Sequence, residues 1–303
     1  MSKGQVMRVV LNSVAISFLL FVLPAARAQS NEDSGKGWLW YEDVIGSASS
    51  LGTVTRFDST LGYNFNRHFA VDFGAPILLV RASPSTTSST TTTTYRSANG
   101  IGDVYTDLRF TFRNPVVNYL STIRATAPTG STSNGFSSGR ATADWNNHFD
   151  RTFGHVTPFA NLGVANTVPD AAYFVRPFTT LGLETHIEGG ASVKIWRMLN
   201  LRGSTYAIEP SGQQKVFSRL LNRQTSGPSG TPGVSHRGVF QNSPETTGSA
   251  DIARDHGVSI GADASLHAVD LAIGYTHSAS YSLDTLYFGI GFNLARFFSS
   301  SSY

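Results

Sequence analysis

The chain has 303 residues, no cysteine, and only 14% charged residues beside 12% aromatic ones. The lack of cysteine excludes disulfides and thiolate metal sites. Lys3, Arg8 and Arg27, all within the first 28 residues, account for the formal net charge of +3; without them the chain carries 20 basic (23 − 3) and 20 acidic residues. The basic pI therefore does not indicate binding to nucleic acid.

The first 28 residues are expected to be a cleaved secretory signal peptide. Lys3 and Arg8 precede the apolar segment 9–23, and Ala26-Arg27-Ala28 has the small-residue pattern of a cleavage site. The apolar segment is shorter than the about 20 residues that a membrane-spanning helix needs. The mature chain is expected to be residues 29–303, forming one domain.

Apolar residues alternate with polar or small ones along the mature chain, which is typical of β-strands with two different faces. Near the C-terminus, Leu286, Phe288 and Ile290 share one face, while Tyr287 and Gly289 share the other. This alternation predicts twelve strands, in chain order near 37–47, 53–65, 68–82, 101–113, 117–128, 140–153, 156–168, 174–196, 200–209, 256–268, 271–282 and 285–298.

The connections between these strands are alternately short and long. Tight turns alternate with polar loops, the longest of which lie near 83–99 and 210–255. Outer-membrane barrels have short periplasmic turns and longer extracellular loops. The sequence therefore predicts an all-β fold, a transmembrane antiparallel up-and-down β-barrel of the bacterial outer membrane. A soluble periplasmic β-sandwich or lipocalin-like barrel is the alternative, and the loop asymmetry and the polar second face disfavour it.

On this prediction the polar face of the strands lines the barrel lumen, where charges cost far less than against lipid. The lumen-lining candidates are Asp103, Asp107, Arg109, Arg113, Arg124, Asp144, His148, Glu184, His186, Glu188, Lys194, Arg202 and Asp263, accompanied by Arg56, Asp58, Asp72, Asp150 and His267. Two interpretations stay open. The charges either line a polar pore that screens solutes, or they form an ion-paired network that fills a barrel of intermediate width.

The loop 210–255 is rich in Gly, Pro and Ser and is the candidate constriction. Its apolar residues Val216, Phe217, Leu220, Leu221 and Phe240 are expected to dock in the barrel mouth, since a wholly disordered loop has little use for them.

The sequence gives incomplete support for two kinds of chemistry, metal binding and hydrolysis. Glu184, His186 and Glu188 alternate on one strand and could ligate a metal, but same-face neighbours lie about 7 Å apart, so the set is incomplete. No G-x-S-x-G elbow is present. We therefore predict no metal, no cofactor and no enzymatic activity, and a hydrolase is the third hypothesis.

The segment 100–168 contains GIGDVYTDLRFTFR, then ATAPTGSTSNGFSSGRATADW, then FGHVTPFANLGVANTV. In this order of motifs it resembles the outer-membrane transporters associated with the meta-pathway of phenol degradation. The resemblance implies a barrel for aromatic or other hydrophobic solutes.

The function expected from the sequence is that of a passive outer-membrane channel or uptake protein. Its expected partners are outer-membrane lipid, a small-molecule solute and the barrel-assembly machinery, without nucleic acid. A structural or adhesive barrel with a sealed lumen is the second hypothesis.

Overall fold

The structure is a computed structural model that describes residues 36–83, 85–86, 93–94, 97–170, 174–220, 239–241, 243–266 and 268–293. The expected signal peptide lies outside these residues, as do Leu221 and His267. Among the residues described, no helix is long and apolar enough to cross a membrane.

Twelve antiparallel strands form a closed barrel within the described residues, which confirms the predicted fold. Adjacent strands in the wall follow one another along the chain, and the first wall strand pairs with the last to close the ring, with Tyr41 opposite Asn293. The wall consists of β1 (Gly37–Ser49), β2 (Gly52–Asn64), β3 (Phe69–Ala82), β7 (Val104–Arg113), β8 (Asn118–Ala127), β9 (Thr142–Asp150), β10 (Val156–Ala165), β12 (Glu184–Lys194), β13 (Leu199–Pro210), β16 (Asp255–Leu266), β17 (Val269–Ser278) and β18 (Leu283–Asn293).

The two ends of the barrel carry different connections. One end, called the short-turn end, has the turns 65–68, 114–117, 151–155, 195–198 and 267–268. The opposite, long-loop end has the connections 50–51, 83–103, 128–141, 166–183, 211–254 and 279–282. The connection 83–103 includes β4 (Ser85–Thr86), β5 (Thr93–Thr94) and β6 (Ser97–Ile101), and β6 pairs with the long-loop end of β3.

The outer surface of the wall is apolar. Ile260 and Ile273 are 63% and 65% exposed, and Leu286 and Phe288 point outward while Tyr287 between them is buried. Aromatic rings form a chain of contacts near the short-turn end, for example Phe69 with Phe110. A closed sheet leaves no unpaired edge in hydrocarbon, and an apolar band with aromatic girdles is the membrane-facing surface of such barrels. The protein is therefore a barrel of the bacterial outer membrane.

One predicted strand is divided in the structure. The segment 174–196 alternates throughout, but β11 (Phe178–Leu181) leaves the wall and only β12 belongs to it. The break is at Gly182, whose φ of 154° suits glycine, and a Cβ there would lie 2.1 Å from Oε1 of Gln214. The prediction of one continuous strand was wrong because alternation marks two-faced strands without saying which sheet they join.

We expect Ile260→Arg to lower the free energy of unfolding by about 2–4 kcal/mol, because the arginine would face hydrocarbon near the middle of the band. His256→Arg, on the same outward face of β16 but at its long-loop end, should cost only about 0–1 kcal/mol. Urea unfolding in lipid vesicles measures both. Equal costs would show that Ile260 does not face lipid.

Candidate functional site

Loops fold into the long-loop end of the barrel. Here β11, β14 (Gln214–Ser218) and β15 (Glu245–Gly248) form a three-stranded antiparallel sheet. Two short 3-10 helices, Thr132–Asn134 and Ala250–Ile252, lie in the same loops. The described residues of the loops 128–141, 166–183 and 211–254 are called the plug.

The plug packs against the barrel wall through an apolar cluster. Val216, Leu220 and Phe240 from the predicted constriction set are buried in it, and Phe217 is buried as well. The rings of Phe178 and Phe240 stack with centroids 4.8 Å apart. The wall contributes Ile45, Val54, Leu78, Val80, Ile208 and Leu283. These wall residues come from five strands in one arc of the ring, from β13 through β18 and β1 to β3, so the plug packs its apolar side against that part of the wall.

Buried ion pairs attach the plug to the wall. Asp170 of the plug accepts a hydrogen bond of 3.1 Å from Nη1 of Arg56 on β2, and its other oxygen lies 3.4 Å from Nη1 of Arg219. Arg176 of the plug donates from Nη1 to Asp255 on β16 at 2.9 Å. The plug is therefore bonded by charged groups to two strands of the wall, β2 and β16.

The charge states of the plug residues follow from these contacts. Burial opposes the charge of Asp170, but Arg219, Arg56 and the backbone N–H of Arg176 outweigh it and hold its pKa below the ordinary 3.8. Burial likewise opposes the charge of Arg176, and Asp255 outweighs it, so the pKa of Arg176 lies above its ordinary value. Asp103 differs, since burial dominates and raises its pKa despite a hydrogen bond from the Gly130 N–H.

The lowered pKa of Asp170 predicts how the plug responds to acid. A lowered folded-state pKa gives stability that is present above about pH 4 and lost as the pH falls through that lowered pKa. We expect permeability to be constant between about pH 7 and pH 4 and to rise below that range. Asp170→Asn should be permeable already at neutral pH and show no such step. If the permeability of that variant depends on pH as in the unmodified protein, Asp170 does not help to hold the plug against the wall.

The lumen-lining candidates are mostly engaged in pairs across neighbouring strands. Arg124 makes two bonds to Asp107, of 2.7 and 2.6 Å, and Arg109 donates to Asp72 at 3.0 Å. Nη2 of Arg202 donates to Glu188 at 3.2 Å. The guanidinium groups of Arg124 and Arg202 also lie over the rings of Tyr105 and Phe159.

The remaining candidates occupy three kinds of position. His148 contacts Asp150 and Asn161, Asp263 accepts from Asn200, and Nε2 of His186 lies 3.6 Å from Asp144. Glu184 is fully buried, and no described residue offers its carboxylate a hydrogen bond of acceptable geometry. Arg113 and Lys194 are exposed at the short-turn end. In the part of the chain that is described, no three His, Asp or Glu residues are arranged to hold a metal ion.

A cavity of about 150 Å³ remains between the plug and the wall. Charged residues of both signs line it, among them Arg56, Arg124 and Arg219, together with Asp103 and Asp144. Pro76, Leu78, Phe136 and Val168 give it an apolar side. Asp170, Arg176 and Arg219 were absent from the sequence prediction. Asp170 and Arg219 lie in loops without periodicity, and Arg176 lies in the part of the predicted strand 174–196 that does not belong to the wall.

Comparison with known proteins adds the following. No protein-family profile matches the chain. No curated protein matches it. Among solved structures it is similar to an outer membrane channel from Pseudomonas putida F1, at 10% identity over 89% of this chain and 96% of that one, with a TM-score of 0.49. It is also similar to the NanC porin, at 7% identity over 83% and 99%, with a TM-score of 0.47. A third is the transport unit of the autotransporter AIDA-I from Escherichia coli, at 9% identity over 93% and 96%, with a TM-score of 0.46. At such identities the likeness concerns the fold alone.

Proposed function

We propose that the protein is an outer-membrane channel through which small solutes diffuse passively, with the plug as its constriction. The observation that carries this proposal is the cavity between plug and wall, which keeps polar surface and space inside the lumen. A barrel whose interior served only as filling would be packed to the density of a protein core, without such a space. The expected signal peptide and insertion by the barrel-assembly machinery belong to the same proposal.

The contacts of the plug favour a movable constriction rather than a permanent block of the lumen. It is held by the apolar cluster and by ion pairs, and its strands pair with one another and not with the wall. Such an element can shift without opening the barrel sheet, because the described backbone pairing between wall strands does not include it. Loops folded into a barrel are also the usual means by which wide barrels restrict passage.

A structural barrel with a sealed lumen is the second candidate. The observation that favours it is the pairing of lumen charges, since Asp72, Asp107 and Glu188 each have an arginine partner. An ion-paired wall of this kind rigidifies a barrel whether or not solutes pass. The hydrolase hypothesis stays third.

The resemblance and the cavity differ in the class of solute that they favour. The resemblance to the phenol meta-pathway transporters implies aromatic or other hydrophobic solutes, and this stays a prediction. The walls of the cavity, by contrast, carry several charges and hydroxyl groups.

Single-channel recording in planar bilayers tests the proposal. We expect discrete conductance steps from the purified, folded protein, and none from the same preparation after heat denaturation. If the folded protein inserts into the bilayer and passes neither ions nor small solutes, the hypothesis of a structural barrel with a sealed lumen replaces the channel hypothesis.

A further inference from the structure

The short-turn end of the barrel carries positive charge without matching negative charge. Its described turns contain Arg67, Arg151 and Arg197, but neither Asp nor Glu. Lys36 precedes the first wall strand at the same end, and apart from the half-buried Arg151 these side chains are exposed. Among the described residues, none of these cations forms an ion pair. The rim of this end is therefore a basic surface.

Exposed charges at the long-loop end are different, because they have partners. Lys215 pairs with Glu245 at 2.7 Å, and Arg254 pairs with Glu209 at 2.9 Å. The two members of such a pair cancel each other's field beyond a short distance, whereas cations without partners leave a positive potential that attracts anions. The basic surface of the short-turn end is thus suited to an anionic ligand from outside the chain.

Aromatic rings lie beside these cations on the outside of the barrel. Trp38 and Tyr63, on the outward faces of β1 and β2, form a row with Phe65 in the following turn, and successive ring centroids are 5.1 and 5.3 Å apart. Lys36 lies two positions before Trp38, and Arg67 lies two positions after Phe65. Trp and Tyr are enriched where a barrel crosses the headgroup level of a membrane. The two cations lie at the end of this row, where lipid phosphates are found.

The same arrangement recurs at the turn between β12 and β13, where Trp196 is 74% exposed and directly precedes Arg197. Arg113 and Lys194 at this end differ from it, because they occupy inward-facing positions at the ends of β7 and β12. The cations of the short-turn end therefore form two sets. One set lies beside exposed aromatic rings, and the other lies at the mouth of the lumen.

We propose that the outer rim of the short-turn end binds anionic phospholipid headgroups, held by Lys36 and Arg67 at one position and by Arg197 at another. An anionic headgroup supplies the negative charge that this rim lacks, and its acyl chains continue along the aromatic row and the apolar wall. A zwitterionic headgroup has a phosphate as well, but its own ammonium group offsets that charge. Each Lys or Arg near an anionic membrane surface strengthens binding about fivefold. The proposal does not depend on the channel function.

The test measures which lipids surround Trp38. A protein that keeps Trp38 as its single tryptophan, with Trp40, Trp145 and Trp196 replaced by Phe, is folded into phosphatidylcholine vesicles. The vesicles contain a minor fraction of a lipid that is brominated near the headgroup end of its acyl chains and quenches tryptophan fluorescence. This lipid is either phosphatidylglycerol, which is anionic, or phosphatidylcholine.

We expect phosphatidylglycerol to be enriched about fivefold or more beside Trp38 at 0.1 M salt. The enrichment should disappear at 1 M salt, where the Debye length falls from about 10 Å to about 3 Å. Equal quenching by the two lipids at 0.1 M salt overturns the inference. A protein that keeps only Trp145, which faces outward in the middle of β9, should show no enrichment.

Arg67→Gln in the protein with Trp38 alone should remove most of the enrichment. Arg113→Gln makes the same change of charge at the same end, but on the lumen side, and should leave the enrichment intact. Equal loss in both variants contradicts the assignment to the outer rim. Enrichment that responds only to Arg113→Gln places the binding of anions at the mouth of the lumen instead.

A second position keeps the test decisive if the protein with Trp38 alone does not fold. A protein that keeps only Trp196 reports on the turn between β12 and β13. Arg197→Gln should lower the enrichment of phosphatidylglycerol beside Trp196, and Lys194→Gln, three residues away on the inward face of β12, should not. Lack of enrichment beside Trp196 in the unsubstituted turn overturns the inference at this position as well.

Discussion

Deleting residues 216–240 should raise the single-channel conductance several-fold while the barrel stays folded. The deletion removes Val216, Leu220 and Phe240 from the apolar cluster and disrupts the pairing of β14 with β11 and β15. Within the described ranges, the twelve strands of the wall pair only with one another and with β6. The wall should therefore keep its hydrogen bonds while the mouth loses its apolar filling.

A deletion of residues 85–94 is the matched control, because it shortens a loop at the same end that pairs only within itself where it is described. Folding of both proteins is followed by the heat-dependent shift in their mobility on gels. If the plug deletion folds and the conductance stays as low as before, the charge pairs of the lumen seal the barrel. The hypothesis of a structural barrel with a sealed lumen would then replace the channel hypothesis.

The second large effect is expected for Arg176→Met. Removing one partner of a buried ion pair costs about 3–5 kcal/mol, because the other charge is left buried and uncompensated. Asp255 is 1% exposed and would keep only the hydroxyl groups of Tyr206 and Ser278 as donors. We expect the plug to detach at neutral pH, which raises conductance and lowers the free energy of unfolding by about that amount.

Lys215→Met is the control within the same plug. Lys215 and Glu245 form an ion pair with 45% and 47% of their side chains exposed, and such pairs contribute about 0–1 kcal/mol. Urea unfolding in vesicles and proteolysis of the plug compare the two variants. Similar losses in both would mean that Arg176 does not hold the plug through Asp255.

The wall of the barrel could be predicted from sequence because the membrane imposes a strict rule on each strand. A residue such as Phe288 faces hydrocarbon, while its neighbour Tyr287 faces the interior. The alternation is therefore visible between neighbouring residues of the sequence. All twelve strands were located in this way. The one error, the continuous strand 174–196, arose because β11 alternates as well: Phe178 and Thr180 are buried, while Thr179 and Leu181 are less so.

The attachment of the plug could not be predicted in the same way. Arg56 and Asp170 are 114 residues apart in sequence, and Arg176 and Asp255 are 79 apart. No local pattern links such partners, since their contact depends on how the loop 166–183 packs against the wall. The apolar residues of the loop 210–255 were visible because apolar side chains in a polar loop need a place to dock, but sequence did not show that the loop 166–183 supplies the sheet beside them.

The pairing of β1 with β18 constrains how the protein can be made. The other pairs of the wall join consecutive wall strands and can form as hairpins, but Tyr41 and Asn293 meet across almost the whole chain. Until they do, both strands have free backbone edges that hydrocarbon cannot satisfy and that other chains can capture. Stable insertion must therefore wait for the last strand to arrive, so a chain truncated before Leu283 should be degraded or aggregate without reaching a stable partial barrel.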